Sequence, residues 1–437
     1  MRRNSCPSFD RNCFSPPMAD LIIRRAILPD GATADLAVTG NRFSAIAPAI
    51  AESAAEELNA EGMHILPPFY NCHTHAAMVL LRGYADDLEL FPWLNDHIWP
   101  AEARLTPEAV YHGSRLAVLE MIKSGTVFFN DHYFFPRETI RAVEEMGVRA
   151  CIGLCWLNNG DPAAMEQRRR EHAELVADWK AGRFSPRISL AYAPHAIYTV
   201  PEADLRWLNG LAAAENMTVH IHLAETETEF NQCRQEHCGL TPVEYLDSLG
   251  LLNGRIRLAH CVWLTDRDIG ILKERDATVV TNTTSNLKLA SGMFRFHDVD
   301  RAGIRLTLGT DGCASNNAHS FFSEMKTAAL SAKWQARNPT AAPAAHVFNA
   351  ATTAGAMAFT PGAGSIAVGA IADAMLINPQ QPYMVGNYNL VSNLVYAAES
   401  NCVDSLVCDG RILMRHRRVP GEDEIIAAAR RCCEAIR

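Results

Sequence analysis

Two histidines separated by one residue are the first candidates for chemistry in this chain. His73 and His75 flank Thr74 and follow the apolar run 65–70. Because side chains alternate across an extended strand, residues i and i+2 project from the same face, so both imidazoles can reach one metal ion. An isolated His-x-His pair is also typical of ordinary polar residues at a strand end. The rest of the chain has to decide between these interpretations.

Polar side chains of the same kind follow the other strand-like runs of the chain. Apolar runs that predict strands alternate with helical patterns, and nearly every run leads directly into a polar residue, namely Asp131, His195, His222, His260, Asn282 or Asp311. In a (β/α)8 barrel the carboxyl ends of the strands gather at one rim, and active sites lie there. The pattern therefore predicts that residues far apart in the sequence meet at a barrel mouth.

Four of these side chains form a candidate metal site. Catalytic zinc sites use nitrogen and carboxylate ligands and leave one position open for water. Taken singly, Asp311 could be a turn former, and His222 or His260 could be a hydrogen-bonded core histidine. Taken as a set at strand ends, they favour ligands of one ion, and the expected ligands are His73, His75, His222 and Asp311.

Eight strand-like runs would position these residues. They are 65–70, 126–129, 149–152, 188–192, 218–222, 256–260, 278–281 and 306–309. Helices are predicted between them, with start signals such as Thr106-Pro107 and Thr241-Pro242, where threonine caps the helix and proline takes its first position. Eight βα units predict an α/β fold with a (β/α)8 TIM-like barrel, over residues 67–363, rather than an open doubly wound sheet.

Short β-like pieces at both chain ends predict a second, smaller domain. Neither 20–66 nor 364–437 offers enough strands to bury a face alone. We therefore expect one small sheet or β-sandwich built from both ends, with a C-terminal helix. Within the first piece, the Ala/Glu-rich residues 52–58 predict a helical turn. Residues 1–19 are expected to be a disordered N-terminal extension, with Met18 as an alternative start to Met1.

Charge and cysteine usage argue against several classes of protein. The 437-residue chain has a net charge of -9 and shows no basic stripe, which argues against nucleic-acid binding. It has no uncharged apolar stretch of about 18 residues, so no membrane span is expected. Its 13 cysteines lack the spacing of a disulfide framework, which favours reduced thiols and a cytoplasmic location. A homo-oligomer is compatible with this composition.

Seven ordered stretches make the chain resemble the amidohydrolase superfamily. They are His73–Met78, Leu81–Leu88, Trp99–Leu105, His222–Thr226, Leu258–Cys261, Thr284–Gly292 and Leu308–Asn317. Within the superfamily the chain is similar to the metal-dependent aminohydrolases that include the 5'-methylthioadenosine/S-adenosylhomocysteine deaminases. The resemblance implies one divalent ion, zinc or alternatively iron, on the four ligands named above.

The same resemblance implies a reaction and its catalytic residues. The reaction would be hydrolytic deamination of 5'-methylthioadenosine, adenosine or S-adenosylhomocysteine to the inosine-type product and ammonia. Glu225 would move a proton from water to the ring nitrogen and then help protonate the leaving amine. His260 and Asp311 would orient the attacking hydroxide and help remove its second proton. For Glu225 the alternative is a solvated charge in the run 225–227.

Substrate contacts are also implied. By resemblance Glu102 would hold ribose hydroxyls and His195 would touch the purine. A carboxylate is a good bidentate acceptor for a vicinal diol, although Glu102 could also be a helix-surface charge. Trp93 and Trp156 are candidate aromatic contacts, although large aromatics are more often plain packing.

The residues at the end of the third predicted strand help to choose between the candidate substrates. No basic residue follows it in Gly153–Trp156 to meet an amino-acid carboxylate. This favours 5'-methylthioadenosine or adenosine over S-adenosylhomocysteine, unless Arg168–Arg170 supply the charge.

Two other functions stay open. One is an enzyme of the same subgroup that acts on guanine, a pterin or an s-triazine. The other is a non-catalytic scaffold of the dihydropyrimidinase-like kind, which predicts lost ligands, whereas all four are present.

Overall fold

The computed structural model describes residues 19–158 and 160–436, so the predicted N-terminal extension lies almost entirely outside the described residues. The described strands are β1 (Ala19–Ile27), β2 (Thr33–Thr39), β3 (Arg42–Ala47), β4 (Ala54–Asn59), β5 (His64–Leu66), β6 (Phe69–Thr74), β7 (Thr126–Asp131), β8 (Arg149–Trp156), β9 (Ile188–Pro194), β10 (Thr218–Leu223), β11 (Ile256–His260), β12 (Thr278–Thr281), β13 (Arg305–Leu308), β14 (Ala374–Ile377), β15 (Val403–Cys408) and β16 (Arg411–Met414).

The described α-helices are α1 (Leu90–Pro92), α2 (Trp99–Glu102), α3 (Pro107–Lys123), α4 (Pro136–Met146), α5 (Pro162–Lys180), α6 (Glu202–Glu215), α7 (Glu227–Glu236), α8 (Pro242–Ser248), α9 (Asp266–Glu274), α10 (Thr283–Lys288), α11 (Phe296–Arg301), α12 (Phe321–Ala336), α13 (Ala344–Ala351), α14 (Thr353–Phe359), α15 (Leu390–Tyr396) and α16 (Glu422–Ile436). A π-helical turn, Trp93–Ile98, joins α1 to α2. None of the described helices is both long enough and apolar enough to cross a bilayer.

The predicted barrel is confirmed. Strands β6 to β13 pair in chain order in one eight-stranded sheet, and each pair is parallel. The last strand returns beside the first, where the backbone N–H of Asp311 donates to the carbonyl of His73 at 3.0 Å. The carboxyl ends of all eight strands therefore surround one mouth.

The first barrel strand begins at Phe69 rather than at Ile65. Pro67 and Pro68 separate β5 from β6, because proline has no N–H to donate to a sheet ladder. The short strand β5 pairs instead with β14. As a result His73 lies inside β6 and not beyond its end.

Both chain ends contribute to a second sheet, as predicted. Its order is β16-β15-β14-β5-β1-β2-β3, and β4 branches from β1. The predicted helical turn at 52–58 is wrong, since Ala54–Asn59 forms β4 and pairs in parallel with β1. Pairing with a free strand edge outweighs the weak helical propensity of this segment, whose Leu58 is buried while Glu56 and Glu57 stay exposed. The domain boundaries near residues 66 and 364 stay a prediction.

A buried ion pair joins the two sheets at the end of the barrel opposite its mouth. Arg149, the first residue of β8, donates from Nε to Asp373 Oδ2 at 3.0 Å, and the Tyr70 hydroxyl donates to the same oxygen at 3.0 Å. The side chains of Arg149 and Asp373 are 7% and 0% exposed. Arg149 also pairs with Asp409, so the buried guanidinium has two carboxylate partners, which together offset its removal from water.

Candidate metal centre and active site

The structure brings the four predicted ligands to one point. His73 Nε2 and His75 Nε2 lie 3.3 and 3.2 Å from the same oxygen, Oδ1 of Asp311. His222 Nε2 lies 3.3 Å from His75 Nε2. Strand β6 with the residue after it, strand β10 and the loop after β13 thus contribute the four side chains. His73, His75 and Asp311 have their ligand atoms within 4.8 Å of one another, and His73 and His222 form a second such group with His260.

These atoms fit a divalent cation. Ligand atoms bound to one zinc ion at about 2.0–2.2 Å lie about 3–4 Å from one another, and the separations above fall in that range. His73 Nε2 is buried and has no hydrogen-bond partner among the described residues. A buried polar atom without a partner is costly, and a bound cation would remove that cost. Three imidazoles and one carboxylate form a donor set that suits zinc or iron.

Two ligand histidines are held by backbone carbonyls. His75 Nδ1 lies 2.5 Å from the carbonyl oxygen of His132, and His222 Nδ1 lies 2.6 Å from the carbonyl oxygen of His195. A carbonyl can only accept, so Nδ1 carries the proton in both rings. Each Nε2 is therefore left with its lone pair directed at the centre.

The third ligand histidine is held by another histidine. His73 Nδ1 lies 3.0 Å from His220 Nε2, and the far nitrogen of His220 lies 2.8 Å from the side-chain amide of Asn130. If His73 gives Nε2 to a cation, its Nδ1 must donate to His220. Neutral His220 would then carry its proton on Nδ1, and the amide of Asn130 would have to turn so that its oxygen, rather than the Nδ2 that lies there, faces this proton.

Two serines orient the carboxylate ligand. Oδ2 of Asp311 accepts from Ser285 Oγ at 2.6 Å and from Ser315 Oγ at 3.0 Å, which leaves Oδ1 facing the histidines. Burial alone would raise the pKa of Asp311, but the imidazoles of His73 and His75 beside its carboxylate hold that pKa well below the usual range. The carboxylate is therefore ionised, as a ligand must be.

Left-handed backbone occurs at three strand ends around this centre. Ala224, His260 and Asp311 have φ values of 51°, 73° and 61°. Residues other than glycine adopt this region only where the surroundings hold them there, and such residues cluster at active sites. Here each turns the chain out of its strand at the barrel mouth.

A buried carboxylate stands beside the centre. Glu225 is 6% exposed, so the alternative of a solvated charge is wrong. Its Oε2 lies 3.8 Å from His260 Nε2, and His260 Nδ1 lies 2.8 Å from Asn286 Oδ1, to which it donates. Burial is the main cause that raises the pKa of Glu225 above its ordinary value. A carboxyl group with a raised pKa can both accept and return a proton near neutral pH.

A cavity with an empty volume of about 640 Å³ opens from the centre, and Glu225, Glu102, His195 and Trp93 line it. Glu102 is 9% exposed, and burial raises its pKa to about 7. Its Oε1 has no hydrogen-bond partner among the described residues, although Tyr133 lies beside the carboxyl group. The alternative of a helix-surface charge is therefore wrong for Glu102.

The imidazole of His195 is neutral, so it can accept one hydrogen bond and donate another. Its Nδ1 lies 2.8 Å from Thr199 Oγ1. Burial lowers its pKa to about 3, and the nearby histidines lower it further. Trp93 donates its indole N–H to the carbonyl of Ala85 at 3.1 Å, which fixes its ring as part of the wall.

The structure does not bring Trp156 into the cavity. Its indole N–H donates to Asp204 Oδ2 at 2.9 Å, and its ring packs on Trp207 with centroids 5.0 Å apart. Side chains alternate along β8, so the preceding residue, Cys155, lines the cavity and Trp156 points away from it. The prediction of a substrate contact at Trp156 is corrected accordingly.

Sequence reasoning missed several supporting residues. Ser285, Asn286, Ser315 and His220 bind ligands or catalytic candidates, and Tyr133 lies beside Glu102. Ser285 and Asn286 lie in a motif that the sequence analysis quoted, but nothing in the motif says which side chains they contact. Those contacts join different loops.

Comparison with known proteins agrees with this geometry. The sequence profile of the amidohydrolase family matches residues 64–413. The chain is 43% identical over 390 residues to a 5'-deoxyadenosine deaminase of Methanothermobacter thermautotrophicus, covering 89% of this chain and 90% of the relative. It is 41% identical over 381 residues to a 5-methylthioadenosine/S-adenosylhomocysteine deaminase of Thermococcus sibiricus, covering 87% and 89%.

A solved structure is similar over nearly the whole chain. It is an adenosine deaminase of Xanthomonas campestris with bound zinc, with a TM-score of 0.91 and 35% identity, covering 96% of this chain and 99% of the other. The resemblance drawn from the motifs is confirmed. The chain therefore belongs to the amidohydrolase family and is a hydrolase that acts on C–N bonds of cyclic amidines.

Proposed function

We propose that this protein hydrolytically deaminates an adenosine-type nucleoside with a small, uncharged 5' end, giving the inosine-type product and ammonia. One observation carries the proposal: besides the ligand Asp311, a single cavity holds two more buried carboxylates, Glu225 beside the ligand residues and Glu102 elsewhere on the wall. The first suits proton transfer and the second suits a ribose diol. The names of the relatives, all adenosine-type deaminases, support the same class of substrate.

The ligand residues and the carboxylate would divide the chemistry. We propose that the four ligands hold one divalent ion, which when bound would supply an activated water at neutral pH. Glu225 takes a proton from that water and delivers it to the ring nitrogen next to the reacting carbon. The second proton of the water, removed with the help of His260 and Asp311, then passes through Glu225 to the leaving amine, so the new C–O bond becomes a carbonyl, the C–N bond breaks and ammonia departs.

His260 has a defined part in this scheme. Since its Nδ1 donates to Asn286, the neutral ring presents an unprotonated Nε2 on the side of Glu225. That lone pair can orient the attacking water and accept its second proton. Asp311, whose Oδ2 accepts hydrogen bonds from two serines, assists in removing this proton.

Glu102 favours a nucleoside over a bare ring. Its carboxyl group is buried in the cavity, and one oxygen lacks a partner. The two hydroxyls of a ribose would donate to this carboxylate and offset its burial. A free base such as guanine has no diol to offer.

The residues that line the cavity indicate which 5' group the nucleoside substrate carries. None of its lining residues in the described ranges is lysine or arginine, and apolar side chains such as Leu90, Leu94 and Trp93 contribute to the wall. Lys288, next to the lining residue Leu289, is paired with Asp86 at 2.5 Å. The carboxylate of S-adenosylhomocysteine would lose water there without gaining a cation. This supports 5'-deoxyadenosine, 5'-methylthioadenosine or adenosine.

The Arg168–Arg170 run does not change this inference. Arg168 Nη1 donates to the carbonyl of Leu157 at 2.7 Å, and Arg169 lies over the ring of Trp207, 4.3 Å from its centroid. Neither of them, nor Arg170, lines the cavity.

Ammonia release from a panel of substrates tests the proposal. Zinc-loaded protein is assayed with the three nucleosides above, S-adenosylhomocysteine, guanine and an s-triazine. We expect the highest kcat/KM for a nucleoside with an uncharged 5' end. Faster turnover of guanine or the triazine would refute the substrate class, and S-adenosylhomocysteine as the best substrate would refute the 5' assignment.

A single substitution tests the proposed chemistry. Glu225→Gln should leave metal content near wild type and remove turnover, since an amide cannot carry the proton. Retained activity, or loss of metal, would mean that the proton-transfer role is wrongly assigned.

A further inference from the structure

We infer that Glu229 is a positioning residue that holds the backbone of Glu225 in place for proton transfer, an inference that rests on the proposed role of Glu225. Glu229 is 2% exposed and lies in the first turn of α7. Its Oε1 accepts the backbone N–H of Ala224 at 3.0 Å, and its Oε2 accepts that of Glu225 at 2.8 Å. One buried carboxylate thus uses both oxygens on two successive amides.

The peptide that Glu229 holds is in a conformation that needs support. Ala224 has a φ of 51°, in the left-handed region that favours glycine. Its carbonyl accepts the N–H groups of Val262 and Trp263, both at 2.9 Å. Ala224 is therefore fixed from the carbonyl side by the loop after β11 and from the amide side by Glu229. Together these contacts fix the direction in which the chain leaves β10 at Glu225.

Helix capping does not account for this carboxylate. Thr226 caps α7 with its hydroxyl, which accepts the N–H of Glu229 at 3.1 Å. In an ordinary capping box the glutamate in this position returns to the N–H of the capping residue. Here the side chain reaches past Thr226 to the two residues before it, one of which is Glu225. Thr226 thus caps the helix, and Glu229 positions the backbone of Glu225.

An amide in place of the carboxylate would break this arrangement with little change in shape. Glutamine offers one oxygen and one NH₂ group, so one of the two backbone N–H groups would face a donor. The Ala224–Glu225 peptide would have to move, and the Glu225 carboxylate with it. A misplacement of about 1 Å at a reacting group can cost about a hundredfold in rate.

The test compares three variants on helix α7 and its cap. Glu229→Gln should keep wild-type metal content and KM and lower kcat by about tenfold to a hundredfold. Glu227→Gln, an exposed glutamate of the same helix, should have wild-type kcat. Thr226→Ala removes the cap but keeps the contacts of Glu229, so it should lower Tm and leave kcat near wild type.

Each outcome decides the question. Wild-type kcat in Glu229→Gln would overturn the inference. A loss of kcat in Thr226→Ala as large as that in Glu229→Gln would also overturn it, because lost stability would then account for both. If Glu229→Gln does not fold, Glu229→Asp keeps the charge but is too short to reach both amides, and it should show the same loss of kcat. Turnover retained in Glu225→Gln would instead overturn the proposed function, whereas a dead Glu225→Gln with a normal Glu229→Gln would overturn this inference alone.

Discussion

Replacing Glu102 by glutamine should stabilise the fold and weaken substrate binding at the same time. The ordinary pKa of a glutamate is 4.5, and burial raises that of Glu102 to about 7. A carboxyl group whose pKa is raised on folding binds its proton more tightly in the folded state. The free energy of unfolding therefore falls as pH rises from 4.5 towards 7 and stays low above that range.

The magnitude follows from the separation of the two pKa values. About 2.5 pH units at 1.36 kcal/mol each correspond to a cost of about 3 kcal/mol above pH 7. Of this, about 1 kcal/mol develops between pH 6 and pH 8. Glutamine cannot ionise, so Glu102→Gln should gain that amount over wild type as the pH is raised across this interval.

Denaturant unfolding of zinc-loaded protein at pH 6 and pH 8 measures this gain. Glu89→Gln, at an exposed glutamate just before α1, is the matched control and should not stabilise the fold. The claim that an ionised carboxylate is buried there would be refuted if Glu102→Gln had no higher free energy of unfolding than wild type at pH 8, or if the difference were equal at both pH values.

The same variant tests the ribose contact. A hydrogen bond to a charged group contributes about 1.5–3 kcal/mol, so KM for adenosine should rise by about tenfold to a hundredfold with a smaller change in kcat. An unchanged KM would show that Glu102 does not bind the diol.

Three further outcomes are expected. Removal of divalent ions by a chelator should abolish ammonia release and lower Tm, and added zinc should restore both; full activity without metal would contradict the proposed centre. Asn286→Ala removes the acceptor that orients His260, so steady-state assays should show kcat lowered by about tenfold at an unchanged KM. Asp373→Asn removes one of the two carboxylate partners of buried Arg149, the other being Asp409, which should lower the free energy of unfolding by about 1.5–3 kcal/mol in denaturant titrations. The kcat of Asp373→Asn should stay at the wild-type value, because the ion pair lies at the end of the barrel opposite the active site. A loss of kcat in this variant would contradict the claim that the ion pair does not affect the active site.

The barrel and its ligands were predictable because both depend on local, repeating signals. Strand β11, at 256–260, and strand β12, at 278–281, have the bounds that their apolar runs predict. His73, His75, His222 and Asp311 stood out because each lies at or beside the end of such a run. Parallel strands of a closed barrel must bring those ends together, so the convergence of the ligands follows from topology.

The errors occurred where a long-range contact overrides a local pattern. The apolar run 65–70 looked like one strand, but its two prolines divide it between two sheets. The glutamate-rich segment before Asn59 became an edge strand because β1 offered it a partner. Trp156 was placed in the pocket, whereas the register of β8 directs Cys155 there instead.

The sequence by itself determined the fold, the family and the residue types that could bind a metal, because strand periodicity and ordered motifs are written in neighbouring positions. Only the tertiary structure decided which partners hold those residues: the serines on Asp311, the asparagine on His260 and the carboxylate of Glu229 under Glu225. Each such contact joins groups whose meeting depends on how the chain turns at the barrel mouth, and a hydrogen bond depends on distances of a few tenths of an ångström that no local pattern specifies.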